Sequence, residues 1–191
     1  MLRAQGNTLV LMSGGIDSTA VARFHVEAAS PSVVGLFVDY GQPPAQREFE
    51  AADAVTKYLG VPLRFLQVRG ATRKTAGLIF GRNAFLLSVA LLESNPDTSI
   101  ISIGVHAGTS YRDCSPGFIR LMQHLADLYS GGTVQISAPF LHWTKTQIWA
   151  YFVERGLPLQ LTSSCELGES TPCGNCLSCV DRSRLLLNAG P

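Results

Sequence analysis

Short apolar runs recur along the chain at residues 9–12, 33–38, 63–68, 100–105 and 134–137, and the stretches between them carry apolar positions at helical spacing. Residues 45–59 set Phe49, Ala52, Val55, Tyr58 and Leu59 on one helical face, then stop at Gly60 and Pro62. Residues 82–92 are nearly all apolar, which predicts a helix buried against the sheet. Thr144 and Gln147 have capping-box spacing and open a helix that runs to about Arg155, where Gly156 and Pro158 end it. Strands alternating with helices predict an α/β fold with a parallel sheet. The regular pattern fades beyond residue 159, so the chain divides into an α/β domain over 1–159 and a small C-terminal segment over 160–191 packed on it, with one short helix over 182–187.

With 191 residues, 46% of them hydrophobic, the chain can bury one substantial core. Fifteen Lys and Arg against 14 Asp and Glu leave a net charge of +1. That is no broad nucleic-acid footprint, and it favours a small substrate. The first residues lack an apolar signal core, and no apolar run approaches the roughly twenty residues that span a bilayer. A cytoplasmic protein without membrane contact is expected.

The chemistry concentrates at Ser13-Gly14-Gly15-Ile16-Asp17-Ser18, between the first apolar run and the helix-like Thr19-Ala20-Val21-Ala22. Two glycines allow a tight turn that brings backbone N–H groups to an anion, Ser13 and Ser18 add hydroxyls, and a helix N-terminus adds positive potential. Asp17 repels phosphate, so its natural use is a Mg²⁺ bridging it to the phosphates. The spacing is neither the Walker pattern nor the dinucleotide fingerprint. It resembles the PP-loop of the ATP pyrophosphatases, which implies that ATP is used to adenylate an oxygen with release of pyrophosphate.

Four of the five cysteines, Cys165, Cys173, Cys176 and Cys179, crowd into one short stretch. Their spacing suits a closed, structural Zn²⁺ site that would order an otherwise thin tail, with an iron–sulfur cluster or redox thiols as the other readings. Cys114 stands alone, a small packed residue rather than a nucleophile.

A PP-loop paired with a C-terminal four-cysteine loop resembles the 7-cyano-7-deazaguanine synthases. The similarity extends through Gly81-Arg82-Asn83, Gly104-Val105, Tyr111-Arg112-Asp113-Cys114, Pro139, Lys145, Trp149 and Arg182-Ser183. It implies a Rossmann-like parallel sheet of the PP-loop type and a ligase that converts a deazaguanine carboxylate to a nitrile with ammonia and ATP. Arg82 and Lys145 are then the candidate catalytic cations beside Asp17, with solvent-facing surface charge as the alternative for each. The backbone around Val38 and Tyr40, at the end of the second strand, is expected to read adenine, or else forms an ordinary strand-end turn. Gly104, His106, Tyr111 and Asp113 fall to the substrate side, His106 as a hydrogen-bonding group before a proton carrier.

Two departures from that family stand out. Only residues 69–80 separate the third strand from Gly81-Arg82-Asn83, so part of a lid or dimer contact is missing, and homodimerisation is left open. The loop after Gly104 reads His106-Ala107-Gly108-Thr109-Ser110, without the family's acidic and Ser-Gly residues. The competing readings are a ligase that joins a deazapurine or other acid to a protein or other amine, and a nucleotide-binding partner subunit without catalysis. A tRNA thiolase of the PP-loop group fits the near-neutral charge poorly.

Overall fold

The computed structural model describes residues 6–28, 31–70, 77–106, 108–109, 111–169 and 171–187. Five strands, β1 (Asn7–Leu11), β2 (Val33–Asp39), β3 (Leu63–Gln67), β4 (Thr98–Ser102) and β5 (Gln135–Ser137), form one sheet. Their order is β3-β2-β1-β4-β5, and every pair is parallel. β1 and β2 are buried along most of their length, as covering on both faces requires, which explains their unbroken apolar runs. Edge strand β3 is largely exposed.

The chain winds outwards from β1 to β2 and β3, then returns to the other side of β1 for β4 and β5. Right-handed crossovers therefore place the first two helices on one face and the next two on the other. One core gathers α1 (Ile16–Glu27), α2 (Ala45–Leu59) and α5 (Lys145–Glu154). The opposite core gathers α3 (Arg82–Leu92) and α4 (Pro116–Ser130). The reversal of winding opens a crevice beyond the C-terminal ends of β1 and β4, where such sheets bind ligands.

Several boundaries differ from the sequence expectation. The fourth strand starts earlier and ends at Ser102, although Ile103 and Val105 continue as buried chain and Ile103 N–H still donates to the Ser137 carbonyl. α3 is not sunk in the core: only Asn83, Leu87 and Ala90 are buried, and Leu92 is 81% exposed. Two helices cover this face of the five-stranded sheet, so the outer sides of both stay in water. α4 is bounded by signals that apolar spacing alone does not mark: the Ser115 hydroxyl accepts from Phe118 N–H, Pro116 stands in the first turn, and Gly131 closes the helix at φ 61°. The last helix, α6 (Leu177–Leu187), starts five residues before the expected 182, within the cysteine stretch. The Thr144 and Gln147 capping box forms as expected. Among the described residues no helix is long and apolar enough to cross a membrane.

Candidate active site

Met12 extends the β1 ladder by donating to the Leu36 carbonyl, and the chain then turns through Ser13 and Gly14. Gly14 has φ 71°, and a Cβ there would stand 2.6 Å from both Ala51 Cβ and the Ala52 amide nitrogen. Only glycine satisfies both demands. The turn delivers Gly15 as N-cap of α1 with no side-chain cap, which leaves the leading amides of the helix for an anion. Ser13 Oγ and Ser18 Oγ lie 3.2 Å apart beside it, and Gly15 N–H donates to Ser13 Oγ at 3.4 Å. Residues 13–18 thus have the geometry of an anion cradle.

Asp17 projects from the first turn of α1. The Lys145 ammonium, from the first turn of α5, donates to both its carboxylate oxygens at 2.6 and 2.5 Å, and His106 Nε2 lies 3.9 Å from Oδ2. Residues 128 apart in sequence meet because α5 packs on α1. Lys145 is therefore directed into the crevice rather than held in bulk water. Gly104 takes part by close approach: a Cβ there would come within 3.2 Å of the Asp17 carbonyl carbon and the Ser18 amide nitrogen. Ala107 and Ser110 of the following loop, and residues 71–76 of the shortened segment, lie outside the described residues.

Arg82 opens α3 behind Gly81, at φ 73°, and its charge acts on the Tyr40 hydroxyl. Burial pushes that hydroxyl up to about 12, so it stays neutral. Buried Asn83 donates its amide to the Asp113 carbonyl at 3.2 Å and reaches Cys114 Sγ at 3.9 Å, tying the start of α3 to the turn that carries Tyr111 and Asp113. Cys114 packs against the α3/α4 core and burial pushes its thiol up, as the packed-residue reading requires.

The turn after β2 is organised by Gln42, whose buried carboxamide accepts from Tyr40 N–H at 2.9 Å and donates to the Val38 carbonyl at 3.2 Å and to Glu48 Oε2 at 2.9 Å. Tyr40 N–H is thereby engaged inside the turn.

All four clustered cysteines converge, with their sulfurs within 4.8 Å of one another. Cys173, Cys176 and Cys179 N–H groups each donate at 3.4 Å to the sulfur of Cys165, Cys173 and Cys176 in turn. Burial, then crowding by the other cysteines, pushes the Cys179 thiol up to about 12. Such a set carries negative charge only with a cation in its centre. The segment also touches the cradle: Ser163 N–H donates to the Gly14 carbonyl at 3.0 Å. Gly168 lies so close to the Pro43–Pro44 turn that a Cβ would be 2.6 Å from the Pro43 carbonyl oxygen. Arg182 fixes the approach by donating to Thr162 Oγ1 at 2.8 Å and the Leu159 carbonyl at 2.9 Å. Gln42, Glu48, Ser163 and Gly168 escaped the sequence reading because each acts through a tertiary contact that no local spacing reveals.

The chain matches the family described as "Queuosine biosynthesis protein QueC" over residues 7–77 and 71–190. It is 31% identical over 213 residues to a 7-cyano-7-deazaguanine synthase of Prochlorococcus marinus, covering 96% of this chain and 94% of the relative. To the protein of the same name in Brucella ovis it is 33% identical, covering 96% and 90%. Among solved structures, the U34-tRNA thiolase NcsA of Methanococcus maripaludis with its 4Fe-4S cluster aligns with TM-score 0.60 and 15% identity, over 96% of this chain and 65% of that one. An NMN synthetase of Francisella tularensis aligns with TM-score 0.57 and 14% identity, over 98% and 78%. These two likenesses speak to the fold alone. The family match over nearly all of the sequence, together with full-length relatives at 31% and 33% identity, makes this chain a member of the QueC family of 7-cyano-7-deazaguanine synthases.

Proposed function

We propose that the protein activates the carboxylate of 7-carboxy-7-deazaguanine by ATP-dependent adenylation in the cytoplasm and converts it with ammonia, through the amide, to the nitrile. The carrying observation is the Asp17–Lys145 pair set against an uncapped helix N-terminus at the crevice between β1 and β4, in a chain of this family. A carboxylate is a poor electrophile because its leaving group would be oxide. Its oxygen attacks the α-phosphorus of ATP, pyrophosphate departs, and ammonia then displaces AMP to leave the amide. A second ATP activates the amide oxygen in the same way, and loss of AMP with the nitrogen-bound protons leaves the nitrile.

Negative charge grows on the α-phosphoryl oxygens and on departing pyrophosphate. The amides at the start of α1, with the Ser13 and Ser18 hydroxyls, receive the pyrophosphate, while Lys145 and Arg82 neutralise charge at the reacting centre. A single carboxylate beside a phosphate cradle fits Mg²⁺, which takes one or two carboxylates and completes its shell with phosphate oxygens and water. Asp17 would hold it, and the ion would supply further charge neutralisation there. Gly104, His106, Tyr111 and Asp113 border the space for the base, and Val38 with Tyr40 borders the adenine. The cysteine set fits Zn²⁺: a tetrahedron with Zn–S of about 2.3 Å spaces its sulfurs by about 3.8 Å, and Cys173 and Cys179 sulfurs are 3.9 Å apart. A four-iron cluster holds its ligands further from one another. Residues 160–191 then act as a metal-ordered brace for the α/β domain.

Pyrophosphate release from ATP, measured with a panel of deazapurine acids and amines, tests this reading. Release that requires the 7-carboxylate, followed by ammonia-dependent nitrile, is the expected result. ATP binding without release under every condition would instead make the chain a nucleotide-binding subunit. The changed loop at His106 favours one second reading, transfer of the activated acid to a different amine, including one on a protein, which the amine panel detects.

A further inference from the structure

We propose that Lys145 is a placeholder for the divalent cation on Asp17: its ammonium neutralises that carboxylate before nucleotide binds and passes to the phosphates when Mg²⁺ enters with ATP. The inference deepens the reading above and rests on Asp17 holding Mg²⁺ in the reacting complex.

The roles given to these two residues compete for one place. Lys145 Nζ stands 2.6 Å from Asp17 Oδ1 and 2.5 Å from Oδ2, so the ammonium lies on the open side of the carboxylate and bridges both oxygens. Mg²⁺ bonds carboxylate oxygens at about 2.0–2.1 Å and demands a near-ideal octahedron. A dication and an ammonium crowded onto the same side of one carboxylate repel each other. Lys145 must therefore leave before Asp17 can ligate the metal from that side.

Its surroundings let it leave but require an anion at either end of the move. Asp17 lies in the first turn of α1 and Lys145 is the first residue of α5, so the ammonium sits beside the positive ends of two helices, where a cation is disfavoured without an anionic partner. The capping box of Thr144 and Gln147 fixes the backbone at its root, which leaves the flexible four-carbon stem as the moving part. Both side chains are partly exposed, so breaking the pair costs little. Gly15 is the N-cap of the helix that carries Asp17, hence an anion on the leading amides of α1 arrives within the same turn as the pair. Without Lys145 that anion would meet a bare carboxylate. With it the cradle presents a neutral pair, which then exchanges partners: Asp17 takes the metal, and Lys145 takes a phosphate oxygen.

The test is NMR of the lysine ammonium groups in the full chain, with a non-hydrolysable ATP analogue as probe and its binding followed by calorimetry. The sequence has three lysines, Lys57, Lys74 and Lys145, so the Lys145 signal is assigned by its loss in K145R. Lys57, paired with Asp53 on α2, serves as the control. D17N should shift the Lys145 signal of the free protein. In the wild type, saturating analogue with EDTA should leave that signal in place, and the analogue with Mg²⁺ should move it. Mg²⁺ should tighten binding of the analogue to the wild type, and D17N should lose that gain. The comparison with and without Mg²⁺ uses the wild type alone, so it carries the test if D17N folds poorly. A Lys145 signal that is the same in wild type and D17N, that stays in place with Mg²⁺, or that the analogue moves equally without Mg²⁺ would overturn the placeholder role and leave the ATP reading standing. An analogue that does not bind would overturn that reading and this inference with it.

Discussion

The phosphate cradle and the cysteine segment are both tight, glycine-bearing loops, yet they are held by opposite means. Residues 13–18 are fixed by the backbone: a β1 ladder on one side, the start of α1 on the other, and a left-handed Gly14 wedged against α2. The cysteine segment has converging sulfurs and amide donors, but four crowded thiols repel one another as thiolates, so under the proposed zinc reading its order would depend on a central cation. Position set by main-chain geometry survives changes in solution, whereas position set by a bound ion follows that ion. The two loops meet at the Ser163–Gly14 hydrogen bond, which lets a fault in the second reach the first.

Asp17→Ala should give the largest effect. Removing the carboxylate that faces Lys145 should lower pyrophosphate release about a thousandfold. The pair is partly exposed, so melting should shift little. Comparable release by the two proteins would show that the cradle works without this carboxylate.

Acid should separate the regions next. His25, 4% exposed on α1, shares a 2.8 Å hydrogen bond with Ser102 of β4, and burial lowers its pKa from 6.5 to about 4. The unfolded chain takes up the proton first, so the stability conferred by the neutral ring is complete above pH 6.5 and drains away as pH falls towards 4, by about 3 kcal/mol. Urea unfolding between pH 7.5 and 4.5 should follow that slope, and His25→Gln should flatten it. An equal slope in the variant would place the acid sensitivity elsewhere.

Cys176→Ser should empty the metal site, lower the melting temperature by about 5 °C and reduce pyrophosphate release about tenfold through the loosened cradle. Metal analysis of the wild type should show about one zinc per chain and no iron. A variant that stays zinc-loaded and folded yet inactive would move this cysteine into the reaction. The smallest effect belongs to Gly104→Ala, whose methyl would press on the Asp17–Ser18 backbone and lower stability by about 1 kcal/mol, read by the same unfolding curves.

The two regions were not equally legible in the sequence. The cradle could be read because its determinants are adjacent, and the α/β alternation around it fixes where the loop falls. The cysteine spacing likewise announced a convergent set, although α6 begins inside it where a loop was expected. The apolar run of α3 misled, because composition does not say that only two helices cover that face. Glu48 and Gln42 were invisible for a different reason. A glutamate in the first turn of an amphipathic helix has the local signature of solvated surface, and only the fold brings its carboxylate onto the Gln42 carboxamide that organises the turn after β2.

The Ser163–Gly14 hydrogen bond also bears on how the molecule is made. On the ribosome the glycine emerges early and its partner nearly 150 residues later, an interval on the order of ten seconds at typical synthesis speeds. Until then the nascent cradle lacks this support, although all five strands of the sheet have already been made. The residue that buttresses the Gly14 turn is thus among the last parts of the chain to be made, so the finished geometry of residues 13–18 belongs to the completed fold and not to the first strand and helix alone.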